Sequence, residues 1–314
     1  MSLDAVSLAD RRRLKRRLFF WRAGAIAALA LALLVLLAEG GFVLPGAHIA
    51  RVSIAGIIVD DRAQQDMLEK IAEDGNVKAV ILSIDSPGGT TTGSEALFES
   101  VRKVSEKKPV VAVLGTLAAS GGYIAAISSD HIVARGNTIT GSIGVIFQWA
   151  QLEGLLDTIG IEMREVKSAA LKAEPSPFHK ASPEAIRVTQ AMLDTSYEWF
   201  LRLVAERRNM DAAQARKLGD GRIYSGWQAV ENGLVDELGG EEQAIAWLAS
   251  EHGISETLPV RDWAPEYPDI GVAGFAGRAL GEAAVTAIDG LTGKTQQAKR
   301  LTLDGLTSVW QPDR

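Results

Sequence analysis

Apolar residues in this chain gather into short unbroken runs, each closed by a polar or glycine-rich break. Val52–Val59, Val77–Ile84 and Val110–Leu114 are of strand length and rich in Val and Ile, which predicts three strands, the third with the character of a buried one. Ala63–Ala72 and Gly93–Ser105 read as helices between them. Ile124–Ser128 continues as a helix after Ser120, and His131–Ala134 reads as a fourth strand. Strands and helices that alternate across short Gly-rich joints predict an α/β fold built on a parallel sheet. In such sheets the reactive loops lie at the C-terminal ends of the strands. Asp85–Thr90 is expected to break the second strand. The glycine pairs 88–89 and 121–122 each follow a strand, so both are placed on the same rim.

Further along, Asn137–Ile146 resembles a tight turn into another strand, Glu153–Thr158 a helical turn and Ile161–Val166 a strand. Lys167–Ser182 is expected to be irregular, since Pro175 and Pro177 deny it regular structure. Ser182 then caps a long helix, with Pro183 at its first position and Glu184 in its first turn. Ile186, Leu193, Phe200 and Val204 form its apolar stripe, up to about Arg208. Ala212–Leu218, Trp227–Gly233 and Glu241–Glu251 are further helical stretches. From Thr257 on, three prolines, a weakly amphipathic stretch (272–288) and a polar end make up a tail.

The N-terminus has a different pattern. Residues 1–22 carry seven basic and two acidic side chains, and residues 23–38 are sixteen uncharged apolar ones. With Leu18–Trp21 added, the run reaches about the length of a membrane-spanning helix, with Arg22 able to snorkel. A cleaved signal peptide is the nearer rival and a buried core helix the more distant one. No small-x-small cleavage site comes after it, which favours an uncleaved anchor. The basic cluster then keeps residues 1–22 in the cytoplasm and sends the chain beyond about residue 45 across the membrane.

Composition narrows the chemistry. The 314 residues are 47% apolar and 23% charged, an ordinary globular balance. Beyond residue 22 there are 26 basic and 37 acidic residues, which argues against a phosphate-tracking face and against nucleic acid as a partner. There is no cysteine, so disulfides and thiolate catalysis are excluded. The four histidines show no pair at metal-ligand spacing, and neither a metal nor a cofactor is expected.

Ser120 stands out within Leu114–Ala126, at a strand-to-helix turn and directly before Gly121 and Gly122. A hydroxyl there lies beside unpaired N–H groups and the positive end of a helix, an arrangement that can present a nucleophile and stabilise an oxyanion. Taken alone, the same serine reads first as an N-cap.

Five motifs in order favour the first reading: Asp85-Ser-Pro-Gly-Gly89, Ala119-Ser-Gly-Gly-Tyr-Ile-Ala125, Thr140-Gly-Ser-Ile-Gly-Val145, the Lys167–Lys172 stretch, and Asp220-Gly-Arg-Ile-Tyr-Ser-Gly226 with Gly233-Leu-Val-Asp-Glu-Leu238. With the preceding anchor, residues 48–252 resemble the bacterial signal peptide peptidases of the SppA family in their short, single-domain form. The resemblance implies a ClpP/crotonase-like parallel-sheet domain with a long helical C-terminal part. It divides the chain into a basic cytoplasmic segment (1–22), a transmembrane anchor (23–44), a Ser-Lys protease domain (45–255) and a C-terminal tail (256–314). It further implies Ser120 as nucleophile, Lys172 as general base, Ser142 as a hydroxyl held against the lysine amine, and Gly89 and Gly121 as oxyanion donors. Ala169 and Ala173 depart from the glycine and aspartate usual in the family, which leaves Lys167 as a second candidate base; its plainer role is a solvated charge at a strand end. A lysine base must lose its ordinary charge, and the apolar neighbours of Lys172 suit that.

The function implied is a membrane-anchored serine endopeptidase of the bacterial inner membrane. Its catalytic domain would lie on the extracytoplasmic side, act on residual signal peptides and other hydrophobic peptides, and assemble as a homo-oligomeric ring. A stomatin-partnered membrane protease is the neighbouring alternative. A crotonase-like acyl-CoA enzyme and a non-catalytic membrane scaffold are more distant.

Overall fold

The computed structural model describes residues 20–26, 46–267 and 306–309. Residues 20–26 are helical, and among the described residues no helix is long and apolar enough to cross a membrane. Most of the expected anchor, from residue 27 on, lies outside the described residues.

From Ala47 on, the chain builds a ten-stranded mixed sheet. Its parallel part is formed by β1 (His48–Ile58), β2 (Val77–Thr90), β3 (Val110–Ala119), β4 (His131–Ala134), β5 (Ile139–Gly141), β8 (Glu237–Leu238) and β9 (Val260–Trp263). β6 (Ile146–Phe147), β7 (Ile223–Ser225) and β10 (Leu306–Val309) make the antiparallel pairs. The apolar runs are continuous because both faces of the sheet are covered. Ala50, Val80, Leu82 and Ala112 face one core, shared with helices α1 (Arg62–Glu73), α2 (Thr91–Ser105) and α3 (Gly121–Ile127). Their neighbours Ile49, Ala79, Ile81 and Val111 face a second core closed by Ala244 and Leu248 of α8 (Glu241–His252).

Helix starts follow their caps. The Asp61 side chain accepts from the N–H of Ala63 and Gln64 to open α1, and Thr90 Oγ1 accepts from Gly93 N to open α2. Ser182 accepts from Ala185 N, with Pro183 in the first turn, to open the helix Pro183–Arg207 as expected. In chain order this helix is α5, after α4 (Glu153–Thr158) and before α6 (Ala212–Leu218) and α7 (Gly226–Glu231).

Three expectations are corrected. Asp85–Thr90 does not end β2. After a register shift the strand runs on, Gly88 and Gly89 lying opposite Ile57 and Ile58 of β1, because a chain without side chains packs directly on that backbone. A Cβ on Gly89 would stand 1.7 Å from Ile58 O. Ile161–Val166 forms no strand, and Ile161, Met163 and Val166 are exposed; Ile161 and Met163 alternate with polar residues, but among the described residues no strand pairs with the segment. Finally, β9 and β10 join the sheet from within the stretch expected to be a tail.

Candidate active site

The rim is assembled by β2, β3 and β5. β3 runs five residues beyond the expected Leu114, and its end pairs with β5, Ala119 opposite Gly141. The next residue on each strand is a serine, so Ser120 and Ser142 are brought side by side. Ser120 N donates to Gly141 O at 2.8 Å, and Ser142 N to Arg222 O at 2.8 Å. Both serines hold positive φ, 56° at Ser120 and 51° at Ser142, where L residues are strained.

Ser120 is 1% exposed and precedes α3, yet its side chain makes no cap hydrogen bond, so the simple N-cap reading fails. Its carbonyl instead accepts from the N–H of Tyr123 and Ile124 at 2.9 Å each, which starts the helix. Tyr123 is fully buried and donates its hydroxyl to Leu234 O at 2.8 Å, tying α3 down; burial pushes its pKa up.

The two glycine pairs meet here. A Cβ on Gly121 would lie 3.1 Å from both Gly88 Cα and Gly89 N and 2.3 Å from Ser94 Oγ, so any larger residue would force the loops apart. Two serines that drew no notice in the sequence shape this junction. The Ser86 hydroxyl is fully buried, donates to Gly56 O at 2.6 Å and accepts from Gly88 N at 3.0 Å. Ser94 Oγ donates to Thr90 O at 2.9 Å. The motif that contains Ser86 was visible, but its role depends on the bulge that brings Gly56 opposite.

Beside the junction lies an occupied strand edge. β10 runs antiparallel to β2 with Thr307, Ser308 and Val309 opposite Thr90, Gly89 and Gly88, and it also pairs with β6. The edge next to Ser120 therefore holds an extended peptide segment, here supplied by the chain itself. A cavity of about 470 Å³ opens next to β6, lined by Ile143–Phe147, by Leu193 and Tyr197 of α5, and by Asp194 and Asp220.

The candidate bases lie on the irregular segment 161–182. Lys172 is exposed, as are Ala169, Ala170 and Leu171 around it, so within one chain the apolar neighbours do not desolvate it. Among the described residues its ammonium has no hydrogen-bonding or ionic partner, and the single chain does not join it to Ser120. Lys167 is not the solvated strand-end charge that was expected. Its side chain is 17% exposed and its Nζ lies 2.7 Å from Glu165 Oε1 and within hydrogen-bonding reach of Glu174 Oε1. Hydrogen bonds to Glu165 and then Glu174 raise its pKa, which favours the charged form of Lys167. Glu165, Glu174 and His179 also bring three ligand-type atoms within 4.8 Å of one another, but the Lys167 ammonium already bonds both carboxylates.

A strained serine at a strand-to-helix turn, flanked by apposed backbone loops and a peptide-holding edge, defines a hydrolase of the serine-protease class. The sequence comparisons agree. The model of peptidase family S49 matches residues 102–255. A Synechocystis protein named as a protease is 39% identical, aligned over 66% of this chain and 75% of its own length. An Enterococcus faecium protein named as a signal peptide peptidase SppA is 38% identical over 74% of this chain and 70% of its own. Protease 4 of Haemophilus influenzae is 34% identical over 63% of this chain and 34% of its own. The chain belongs to peptidase family S49. A ClpP1 mutant from Listeria monocytogenes matches 60% of this chain at 19% identity and a TM-score of 0.42, a likeness too low to bear on the assignment.

Proposed function

We propose that this protein is a membrane-anchored serine endopeptidase that degrades signal-peptide remnants and similar hydrophobic peptides, with Ser120 as nucleophile and Lys172 as general base. The observation that carries this is the strand edge at Gly88–Thr90, which holds an extended segment beside the strained Ser120. A substrate bound there is recognised through its backbone, as suits an enzyme that clears many different peptides. Ser120 Oγ attacks the scissile carbonyl while the neutral Lys172 amine takes its proton. The N–H groups of Gly89 and Gly121 receive the oxyanion, and Ser142 orients the lysine. The lysine then protonates the leaving amine, and water releases the acyl group from Ser120.

Lys172 must be desolvated to act near neutral pH, and a neighbouring copy of the chain is the proposed source of that burial. Ser120→Ala and Lys172→Ala should each lower kcat/KM on a hydrophobic peptide by roughly a thousandfold or more, with little further loss in the double variant. Lys167→Ala should keep far more activity than Lys172→Ala. Labelling of the wild type, but not of Ser120→Ala, by a fluorophosphonate checks the nucleophile independently. Unlabelled wild type, or an active Ser120→Ala, would overturn the proposal.

A further inference from the structure

The segment that carries Lys172 has almost no core of its own. Residues 161–166 and 168–173 are all exposed, yet the side chains of Lys167 and Glu174 that bracket the second stretch are only 17% and 7% exposed. Their ammonium and carboxylate bond to each other across a six-residue loop. Two more groups complete the cluster. Glu165 Oε1 bonds Lys167 Nζ, and His179 Nε2 lies 2.9 Å from Glu165 Oε1 and 3.3 Å from Glu174 Oε1. Glu174 Oε2 accepts from Ser176 N at 3.3 Å.

Inside the loop the chain is folded tightly: Lys172 N donates to Ala169 O at 3.1 Å and Glu174 N to Leu171 O at 3.3 Å. Ala173 sits at φ 59°, a left-handed conformation that strains an alanine and persists only where its surroundings hold it. Ala173 is itself exposed, and the Lys167–Glu174 bond closes the loop around it.

We propose that Glu165, Lys167, Glu174 and His179 form a clasp that closes the loop 168–173 and sets where Lys172 is presented, so that Lys167 and Glu174 are positioning residues of the reaction. The proposal rests on Lys172 being the base, and the experiment separates the two ideas. Among the described residues, the charged groups that face the clasp are its own four. The nearby Glu162 and Arg164 pair with each other at 2.7 Å, and Lys180 contributes its backbone carbonyl to His179 Nδ1 at 3.4 Å. With His179 neutral, two carboxylates and one ammonium leave the clasp with one net negative charge, two residues from Lys172.

The full-length enzyme is assayed as wild type and as Lys167→Met, Lys167→Arg, Glu174→Gln and Lys172→Ala. Lys167→Met should lower kcat about tenfold with KM within about twofold, and Lys167→Arg should restore most of it, since a cation between the carboxylates is what the clasp needs. The acid limb of the kcat/KM profile reports deprotonation of the base. It should move up by a few tenths of a pH unit in Lys167→Met, where the clasp becomes more negative, and down in Glu174→Gln, where it becomes less so. General loosening of the segment would not shift the two variants in opposite directions. If Lys167→Met fails to fold, the direction of the Glu174→Gln limb decides. Unshifted limbs and wild-type kcat alongside a dead Lys172→Ala would sink the clasp and leave the base assignment standing. An active Lys172→Ala would sink both.

Discussion

At Ser120 the backbone is held at φ 56°, ψ −115°, a region that glycine tolerates and serine does not. If Ser120 is the nucleophile, as proposed, this turn exchanges stability for presentation of its hydroxyl. Ser120→Gly should therefore raise the melting midpoint by about 2–4 °C while abolishing hydrolysis, which differential scanning calorimetry and a peptide assay would show together. A lower midpoint would mean that the turn is not strained. Gly121→Ala should do the reverse of stabilising. Its Cβ would press on Ser94 Oγ and on the Gly88–Gly89 backbone, for a loss of roughly 1–3 kcal/mol and of the oxyanion geometry, read by denaturant unfolding and by kcat. Ser120 and the glycine pairs were legible because each stands in a short motif whose chemistry is local. Ser86 and Ser94 were not, because their partners, Gly56 O and the space above Gly121, are brought to them only by the fold.

Among the elements, the runs at Val80–Ile84 and Val110–Leu114 were legible because burial on both faces leaves them apolar, Ser83 being the one polar position. The start of α5 was legible because Ser182, Pro183 and Glu184 each answer a different need of a helix N-terminus. The fate of Ile161–Val166 was not, since an alternating pattern says what a strand would bury and not whether a partner strand exists. β10 was missed for the opposite reason: its partners at Gly88–Thr90 lie more than two hundred residues away, and nothing in a polar tail announces them. Because β10 occupies the edge assigned to the substrate, a chain ending before Leu306 should show a lower KM for an extended peptide at unchanged kcat; an unchanged or higher KM would remove β10 from that edge. The clasp segment has its own pH signature. Hydrogen bonding to Glu165 and then to the Lys180 carbonyl, helped by the negative charge of Glu174, raises the pKa of His179 above its ordinary 6.5. A group whose pKa rises on folding stabilises fully below its unfolded value and ceases to do so as the pH climbs through the folded one. Limited proteolysis within residues 161–182 should accordingly speed up as the pH rises past 6.5, and His179→Asn should flatten that dependence.

For the whole molecule, the single chain gives the proposed catalytic groups different surroundings: Ser120 is 1% exposed within the sheet rim, and Lys172 is exposed on its loop. The surroundings of that loop are unusually apolar for a free surface. Leu155, Ile159, Met163 and Val166, shortly before that loop in the chain, are half or more exposed, and Ile186 and Val188 at the start of α5 are about half exposed. Of the expected stripe of α5, Phe200 and Val204 are buried, Leu193 is half-buried and Ile186 is exposed. A second copy of the chain would cover these exposed apolar side chains and desolvate Lys172 at once. If head-to-tail contacts of this kind close into a ring, Ser120 of one subunit meets Lys172 of the next. Complementation tests it: inactive Ser120→Ala subunits are mixed with inactive Lys172→Ala subunits under conditions in which subunits exchange. Each junction of the right order then joins an intact Ser120 to an intact Lys172, and activity should return to a sizeable fraction of the wild type. Mass-labelled subunits that exchange completely and remain inactive would show instead that serine and lysine meet within one chain.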